Sequence, residues 1–167
     1  MNNIKYIVLD VDGTLTDGTI YYDDTGRETK CFSVKDGLAI VNAGKCGLQF
    51  IVCTGRKSEI VERRMKELHV SYVFQGVKRK TEFLDEFIVK NGVQYSQMAY
   101  IGDDLNDYEA MKKCAFKACP QDACAEIKKI ADYIAPACGG RGAVRECLEY
   151  ILKKQGLWEQ FLKKAIG

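Results

Sequence analysis

The sequence predicts an α/β protein with a central parallel sheet and helices on both faces, and two observations carry that expectation. Short apolar runs alternate with longer amphipathic ones along most of the chain, as strand–helix–strand units do. Several apolar runs end in glycine, threonine or aspartate, at the strand ends where an open α/β sheet builds its site. Parallel crossovers are almost always right-handed, so the alternation also restricts the topology.

The first strand is read over Ile4–Leu9 and runs into Asp10-Val11-Asp12-Gly13-Thr14-Leu15-Thr16-Asp17-Gly18. Thr19–Tyr22 and Glu28–Ser33 are rich in strand formers and flank Asp23-Asp24-Thr25-Gly26. They predict a β-hairpin insertion over about 19–33, with Asp23 and Asp24 as turn residues. A helix near Gly37–Lys45 follows, then a strand over Leu48–Cys53, a helix over Lys57–Leu68 and a strand over Tyr72–Phe74. Next come a helix over Lys80–Asn91, a strand over Met98–Ile101, a helix over Asp104–Cys114, a strand over Ala115–Ala118 and a helix over Ala123–Ile130. Gly47 and Gly92 sit just past helix ends, as C-caps do. The tail, Gln155–Gly167, reads as a short amphipathic helix around Leu157, Trp158, Phe161 and Leu162 that packs on its own domain or on a subunit face. There is no internal repeat or linker, and Pro120 and Pro136 mark no boundary. A single domain over 1–167 is expected.

The 167 residues suffice for one domain with its own core. The net charge is +2 with acids and bases interspersed, so no nucleic-acid footprint is visible. No apolar run approaches a membrane span, and Met1-Asn2-Asn3-Ile4-Lys5 lacks the blocks of a signal peptide. A cytoplasmic protein without nucleic-acid or membrane partners is expected. The eight cysteines form no C-x-x-C pair, so zinc and dithiol signals are absent, and they read as small buried hydrophobes in a reducing compartment. His69 is the only histidine. It falls at a helix end, where its partial charge suits the dipole, and leaves no Ser-His or Cys-His triad to build.

Four strand-end motifs carry the chemistry. Asp10 and Asp12, two apart on a strand end, point to the same side of a regular strand, and Gly13 lets the chain turn sharply beyond them. A hard divalent cation such as Mg²⁺ relieves their repulsion, and one acid is then available to attack an electrophile. In Thr54-Gly55-Arg56-Lys57 a strand runs into a helix start, where a hydroxyl and free N–H groups suit phosphate oxygens or simply make a capped turn. Lys80, opening a helix, suits a phosphate and a carboxylate together; taken alone it also reads as a solvated lysine. In Gly102-Asp103-Asp104-Leu105-Asn106-Asp107, Asp103 and Asp107 lie four apart and would share a face of a starting helix. So many acids in one turn call for a cation or a phosphoryl group nearby.

In this order at successive strand ends, the motifs resemble the haloacid dehalogenase superfamily of phosphohydrolases. The matching pieces are Asp10-Val11-Asp12-Gly13-Thr14, Thr54, Lys80 and Gly102 through Asp107, and the likeness runs from about Ile4 to Leu152. Within the superfamily the chain is similar to the phosphatases of 3-deoxy-D-manno-octulosonate 8-phosphate. That finer likeness rests on Leu15-Thr16-Asp17-Gly18, Lys35-Asp36-Gly37, Thr54-Gly55-Arg56-Lys57-Ser58 and Gly139-Gly140-Arg141-Gly142-Ala143-Val144-Arg145-Glu146.

The resemblance implies a Rossmann-like three-layer sandwich of the capless branch. It implies Asp10 as the nucleophile that forms an aspartyl-phosphate and Asp12 as the general acid/base. Mg²⁺ would be held by Asp10, the Asp12 main-chain carbonyl and Asp103, with Asp104 and Asp107 as outer support or a further ligand. Thr54, Gly55 and Lys80 would bind the phosphoryl oxygens, and Lys80 would also pair with Asp10. It further implies a homotetramer in which neighbours close the site, and a role in lipopolysaccharide biosynthesis or another keto-sugar pathway. Arg56 would fork onto a sugar-acid carboxylate, where similar phosphatases of a nine-carbon keto acid carry an acidic residue; this favours the eight-carbon substrate. Arg141 would reach a substrate or a neighbouring subunit, unless its glycine-rich loop is only a connector. The alternatives are a nonulosonate 9-phosphate or broad sugar-phosphate phosphatase and, more remotely, a receiver-type signalling domain, whose phosphorylated aspartate ends a later strand.

Overall fold

The computed structural model describes residues 3–166. In chain order its elements are β1 (Tyr6–Leu9), β2 (Tyr21–Tyr22), β3 (Glu28–Thr29), α1 (Val34–Lys45), β4 (Gln49–Thr54), α2 (Glu59–Glu67), β5 (Tyr72–Gln75) and α3 (Lys80–Asn91). Then follow β6 (Met98–Ile101), α4 (Tyr108–Lys113), β7 (Phe116–Cys119), α5 (Ala125–Ile130), β8 (Tyr133–Ile134), α6 (Ala143–Lys154) and α7 (Trp158–Ile166). Six strands form a sheet in the order β5-β4-β1-β6-β7-β8, parallel throughout. β2 and β3 form a separate antiparallel ribbon.

β1 lies between β4 and β6, with Leu9 opposite both Val52 and Ile101. Its residues alternate between two cores, Ile7 and Leu9 on one face and Val8 on the other, as a period of two requires. A strand buried on both faces has no polar side to show, which is why it reads as a continuous apolar run. One face is covered by α1, α2, α6 and α7, the other by α3, α4 and α5, giving the expected three-layer sandwich. From β1 the chain winds outward through β4 and β5, then returns across the sheet to β6, β7 and β8. Beside β1 the crossovers therefore diverge, and a crevice opens at the carboxyl ends of the strands.

Two elements were not anticipated. β8 has only two residues and no apolar run. α6 follows Gly139-Gly140-Arg141-Gly142, which reads as a connector. Its buried positions Ala143, Val144, Cys147, Leu148, Ile151 and Leu152 nonetheless hold helical spacing. Gly142 offers the helix no capping side chain. Asp36 of α1 takes that role from a distance, accepting the Arg145 N–H at 2.7 Å. The tail packs on its own domain: Phe161 is fully buried, and Leu157, Trp158 and Leu162 lie against the same core.

The hairpin ladder is shorter than expected, pairing only Tyr21 with Thr29 and Tyr22 with Glu28. Asp23 is a turn residue, accepting from the Thr25 and Arg27 N–H groups at 2.9 and 2.8 Å. The cysteines are free; Cys53, Cys114, Cys119 and Cys147 are buried, Cys46, Cys124 and Cys138 half-buried, and Cys31 exposed. Burial alone therefore describes only some of them. Among the described residues no helix is long and apolar enough to cross a membrane.

Candidate active site

Asp10 sits one residue beyond β1, its N–H donating to the Ile101 carbonyl at 3.1 Å. The chain then turns at once: the N–H groups of Leu15 and Thr16 both reach the Val11 carbonyl, at 2.9 and 3.0 Å. Gly13 makes the turn possible at φ +94°, where an added Cβ would overlap the Asp103 carboxylate. Thr14 donates its hydroxyl to Asp103 at 2.7 Å. The glycine-rich loop before α6 buttresses this turn from behind. Gly140 N–H donates to the Thr14 carbonyl at 3.1 Å, and a Cβ at Gly139 would overlap the Gly13 carbonyl oxygen.

The crevice is a cavity of about 370 Å³ that brings together Asp10, Asp12, Thr54, Gly55, Arg56, Asp103 and Asp104. A larger cavity of about 520 Å³ lies at the amino ends of β4 and β5, away from these acids. Thr54 is buried at the end of β4. The helix expected from Lys57 begins at Glu59, and the chain bends at Gly55 and Arg56 between β4 and that helix. Asp103 and Asp107 do not share a helix face, because α4 starts at Tyr108. Asp107 instead closes a turn, accepting from the Asp103 and Asp104 N–H groups at 3.0 and 3.4 Å.

Beneath the crevice lies a buried charge network. Lys80, the first residue of α3, reaches Asp10 at 2.8 Å and Asp107 at 2.7 Å with its side chain 1% exposed. It is not the solvated lysine that its position alone suggests. Buried Tyr100 also donates to Asp107, at 2.7 Å. Burial, followed by the neighbouring Asp107 charge, pushes Asp10 up to about 7 against the opposing pull of Lys80. Burial pushes Asp103 up to about 7 as well, with Asp10 and Asp107 adding to it and the Thr14 hydroxyl opposing. Burial alone would lower Lys80, but the two carboxylates outweigh it and raise it.

Asp10, Asp103 and Asp107 can each bring one oxygen within 4.8 Å of the others. Three carboxylates against one ammonium leave negative charge in low dielectric, a donor set that fits a hard divalent cation. Asp107 is fully engaged, one oxygen with Lys80 and Tyr100 and the other with two N–H groups. Asp10 and Asp103 face the crevice. Asp104 accepts locally from the Leu105 N–H at 2.8 Å.

The Asp12 carboxylate lies apart from this cluster. It pairs with Lys30, whose side chain is 1% exposed. Lys30 also lies 3.4 Å from Glu28. Arg56 donates to Glu28 at 2.9 Å and to the Tyr22 hydroxyl at 3.0 Å, and its Nε stands 3.9 Å from Asp12. Lys30, Glu28, Tyr22 and Tyr100 were not foreseen. A lysine beside a two-residue strand carries no local signal of burial.

Residues 75–144 match the model of haloacid dehalogenase-like hydrolases. The chain is 38% identical over 164 residues to the 3-deoxy-D-manno-octulosonate 8-phosphate phosphatase of Escherichia coli strain K12, covering 98% of this chain and 87% of the relative. It is similar to the crystal structure of the phosphatase of that name from Moraxella catarrhalis, in complex with magnesium ion, phosphate ion and a KDO molecule. There the TM-score is 0.94 at 41% identity, over 97% of this chain and 93% of the other. The cobalt-bound form of the Haemophilus influenzae phosphatase gives a TM-score of 0.92 at 36% identity, over 99% and 98% of the two chains. The topology, the converging carboxylates and this identity along nearly the whole length agree: the chain belongs to the 3-deoxy-D-manno-octulosonate 8-phosphate phosphatase family of haloacid dehalogenase-like hydrolases.

Proposed function

We propose that the chain is a Mg²⁺-dependent phosphomonoester hydrolase acting on 3-deoxy-D-manno-octulosonate 8-phosphate through an aspartyl-phosphate. The observation that carries this reading is the placement of Lys80 between Asp10 and Asp107 beneath a crevice walled by Asp10, Asp12 and Asp103. Asp10 is held still by that ion pair with one face open to a phosphoryl group, as a nucleophile must be. Its oxygen bonds to phosphorus as the ester P–O bond breaks, and Asp12 gives its proton to the departing sugar oxygen. Water then attacks the phosphorus and gives a proton back to Asp12, and the bond to Asp10 breaks. Asp10, the Asp12 carbonyl and Asp103 would hold Mg²⁺, and Asp107 and Asp104 support them. Bound Mg²⁺ offsets charge on the phosphoryl oxygens. Lys80 adds its charge from below, and Thr54 and Gly55 line the wall against the phosphoryl group.

Arg56 supports the choice of a sugar acid. Its side chain lines the crevice and is 41% exposed, a guanidinium suited to a carboxylate. The chain is read as one phosphatase domain over 1–167, cytoplasmic, with the hairpin insertion at about 19–33 and the helical tail at about 155–167. A homotetramer is proposed from the exposed apolar side chains of the hairpin and α1: Ile20, Tyr21, Tyr22, Val34 and Leu38. A light-scattering mass of a fully active monomer would refute it.

The deciding experiment is phosphate release with Mg²⁺ from 3-deoxy-D-manno-octulosonate 8-phosphate, nine-carbon 9-phosphates and simple hexose phosphates. Strong preference for the eight-carbon acid is expected. Flat turnover across the panel retires the substrate and leaves the mechanism.

A further inference from the structure

We propose that Lys30 is a positioning residue for Asp12, which makes the hairpin part of the catalytic apparatus; the inference rests on Asp12 being the proton-transferring group. The ladder residues Tyr21, Tyr22 and Thr29 are exposed, yet Lys30, the residue after β3, is buried. A buried ammonium persists only with partners, and Lys30 has two, Asp12 and Glu28. Among the described residues it is the only group that hydrogen-bonds to the Asp12 carboxylate. Arg56 closes the arrangement into a ring, with its Nη2 on Glu28 at 2.9 Å and its Nε 3.9 Å from the second Asp12 oxygen. Once Asp12 has given up its proton, two cations and two carboxylates balance, so the ring then adds no net charge beside the crevice. Lys30 fixes one oxygen of a carboxylate whose side chain is 22% exposed and would otherwise rotate freely, and the Arg56 charge stands near the other. Proton transfer by a positioned group is worth about 10²–10⁴-fold, and a loosened Asp12 forfeits part of that.

A mere anchor for the hairpin makes a different prediction from a positioning residue. Loss of an anchor lowers turnover on every substrate alike. Loss of positioning hurts in proportion to the need for a proton. The sugar-acid phosphate leaves as an alkoxide and needs one. p-Nitrophenyl phosphate leaves as a stable phenolate and does not, although breakdown of its aspartyl-phosphate still needs Asp12 to take a proton from water.

The test compares the full chain with Lys30→Met, Lys30→Gln and Asp12→Asn, each with Mg²⁺. For Lys30→Met, kcat on the sugar-acid phosphate is expected to fall at least about tenfold, with KM held within about threefold. With p-nitrophenyl phosphate the same variant should release a burst of p-nitrophenolate approaching one per active site, then turn over slowly. Lys30→Gln keeps an N–H donor and should recover part of kcat; if Lys30→Met does not fold, Lys30→Gln carries the same comparison. Equal losses on both substrates without a burst, or no loss at all, overturn the inference. Undiminished turnover of the sugar-acid phosphate by Asp12→Asn would instead overturn the reading of Asp12, a separate outcome.

Discussion

Replacing Lys80 by methionine tests whether one ammonium holds the buried acids in place. The Lys80 side chain is 1% exposed and lies 2.8 Å from Asp10 and 2.7 Å from Asp107. Methionine fills similar space and removes only the charge. Breaking a buried pair by deleting one partner costs about 3–5 kcal/mol. The cost depends on pH. Asp10 is pushed from its ordinary 3.8 up to about 7, so its ionised form opposes folding. The stability at stake is present below 3.8 and is lost as pH rises through about 7. Lys80 is the charge that limits this loss, so the variant should lose more, and over a range reaching higher pH. Urea denaturation followed by fluorescence of the single tryptophan, Trp158, in the presence of a chelator, reads the difference directly. At about pH 8 the variant should be about 3–5 kcal/mol less stable than the parent, and at about pH 5.5 less than half of that. Mg²⁺ should narrow the gap at the higher pH by binding the folded carboxylates. A difference under about 1 kcal/mol at about pH 8, or one that is the same at both values, refutes the reasoning.

Three further outcomes are expected. Burial pushes Asp36 from 3.8 up to about 6, so the parent loses stability as pH rises between those values. Asp36→Asn should therefore gain up to about 3 kcal/mol relative to the parent between about pH 4 and about pH 7, and a flat difference in urea titrations would contradict this. Gly139→Ala places a Cβ on the Gly13 carbonyl oxygen. It should destabilise by about 1–3 kcal/mol and lower kcat at least about tenfold by moving the Asp10–Gly18 turn; unchanged kcat would show the loop to be a bystander. Arg56→Glu should damage hydrolysis of a keto-acid phosphate far more than that of a neutral sugar phosphate, and equal losses would remove Arg56 from substrate recognition.

The acids were legible in the sequence because local rules place them. Asp10, Asp12 and Asp103 follow apolar runs that only a buried strand explains, and Met98–Ile101 and Lys80–Asn91 keep their expected bounds. The details that slipped are tertiary. Asp103 and Asp107 converge through a turn whose N–H groups both land on Asp107. α6 begins after three glycines, and its missing cap comes from Asp36, 109 residues away from its partner. Lys30 looks like a surface lysine because its burial depends on where the hairpin folds back, which no nearby residue encodes.

The same geometry suits two aspartates two residues apart to the unlike parts proposed for them. Each meets its own buried lysine. Asp10 faces Lys80 at the start of α3, inside the cluster with Asp103 and Asp107. Asp12 faces Lys30, delivered by the hairpin, outside that cluster. Both side chains reach the crevice, and the missing Cβ of Gly13 leaves room for the Asp103 carboxylate beside them. The division of labour proposed for them then comes from elements far apart in sequence, 70 residues downstream for one and 18 for the other. A hairpin deletion should therefore impair the proton-transfer half of the reaction while leaving the Asp10–Lys80 pair intact.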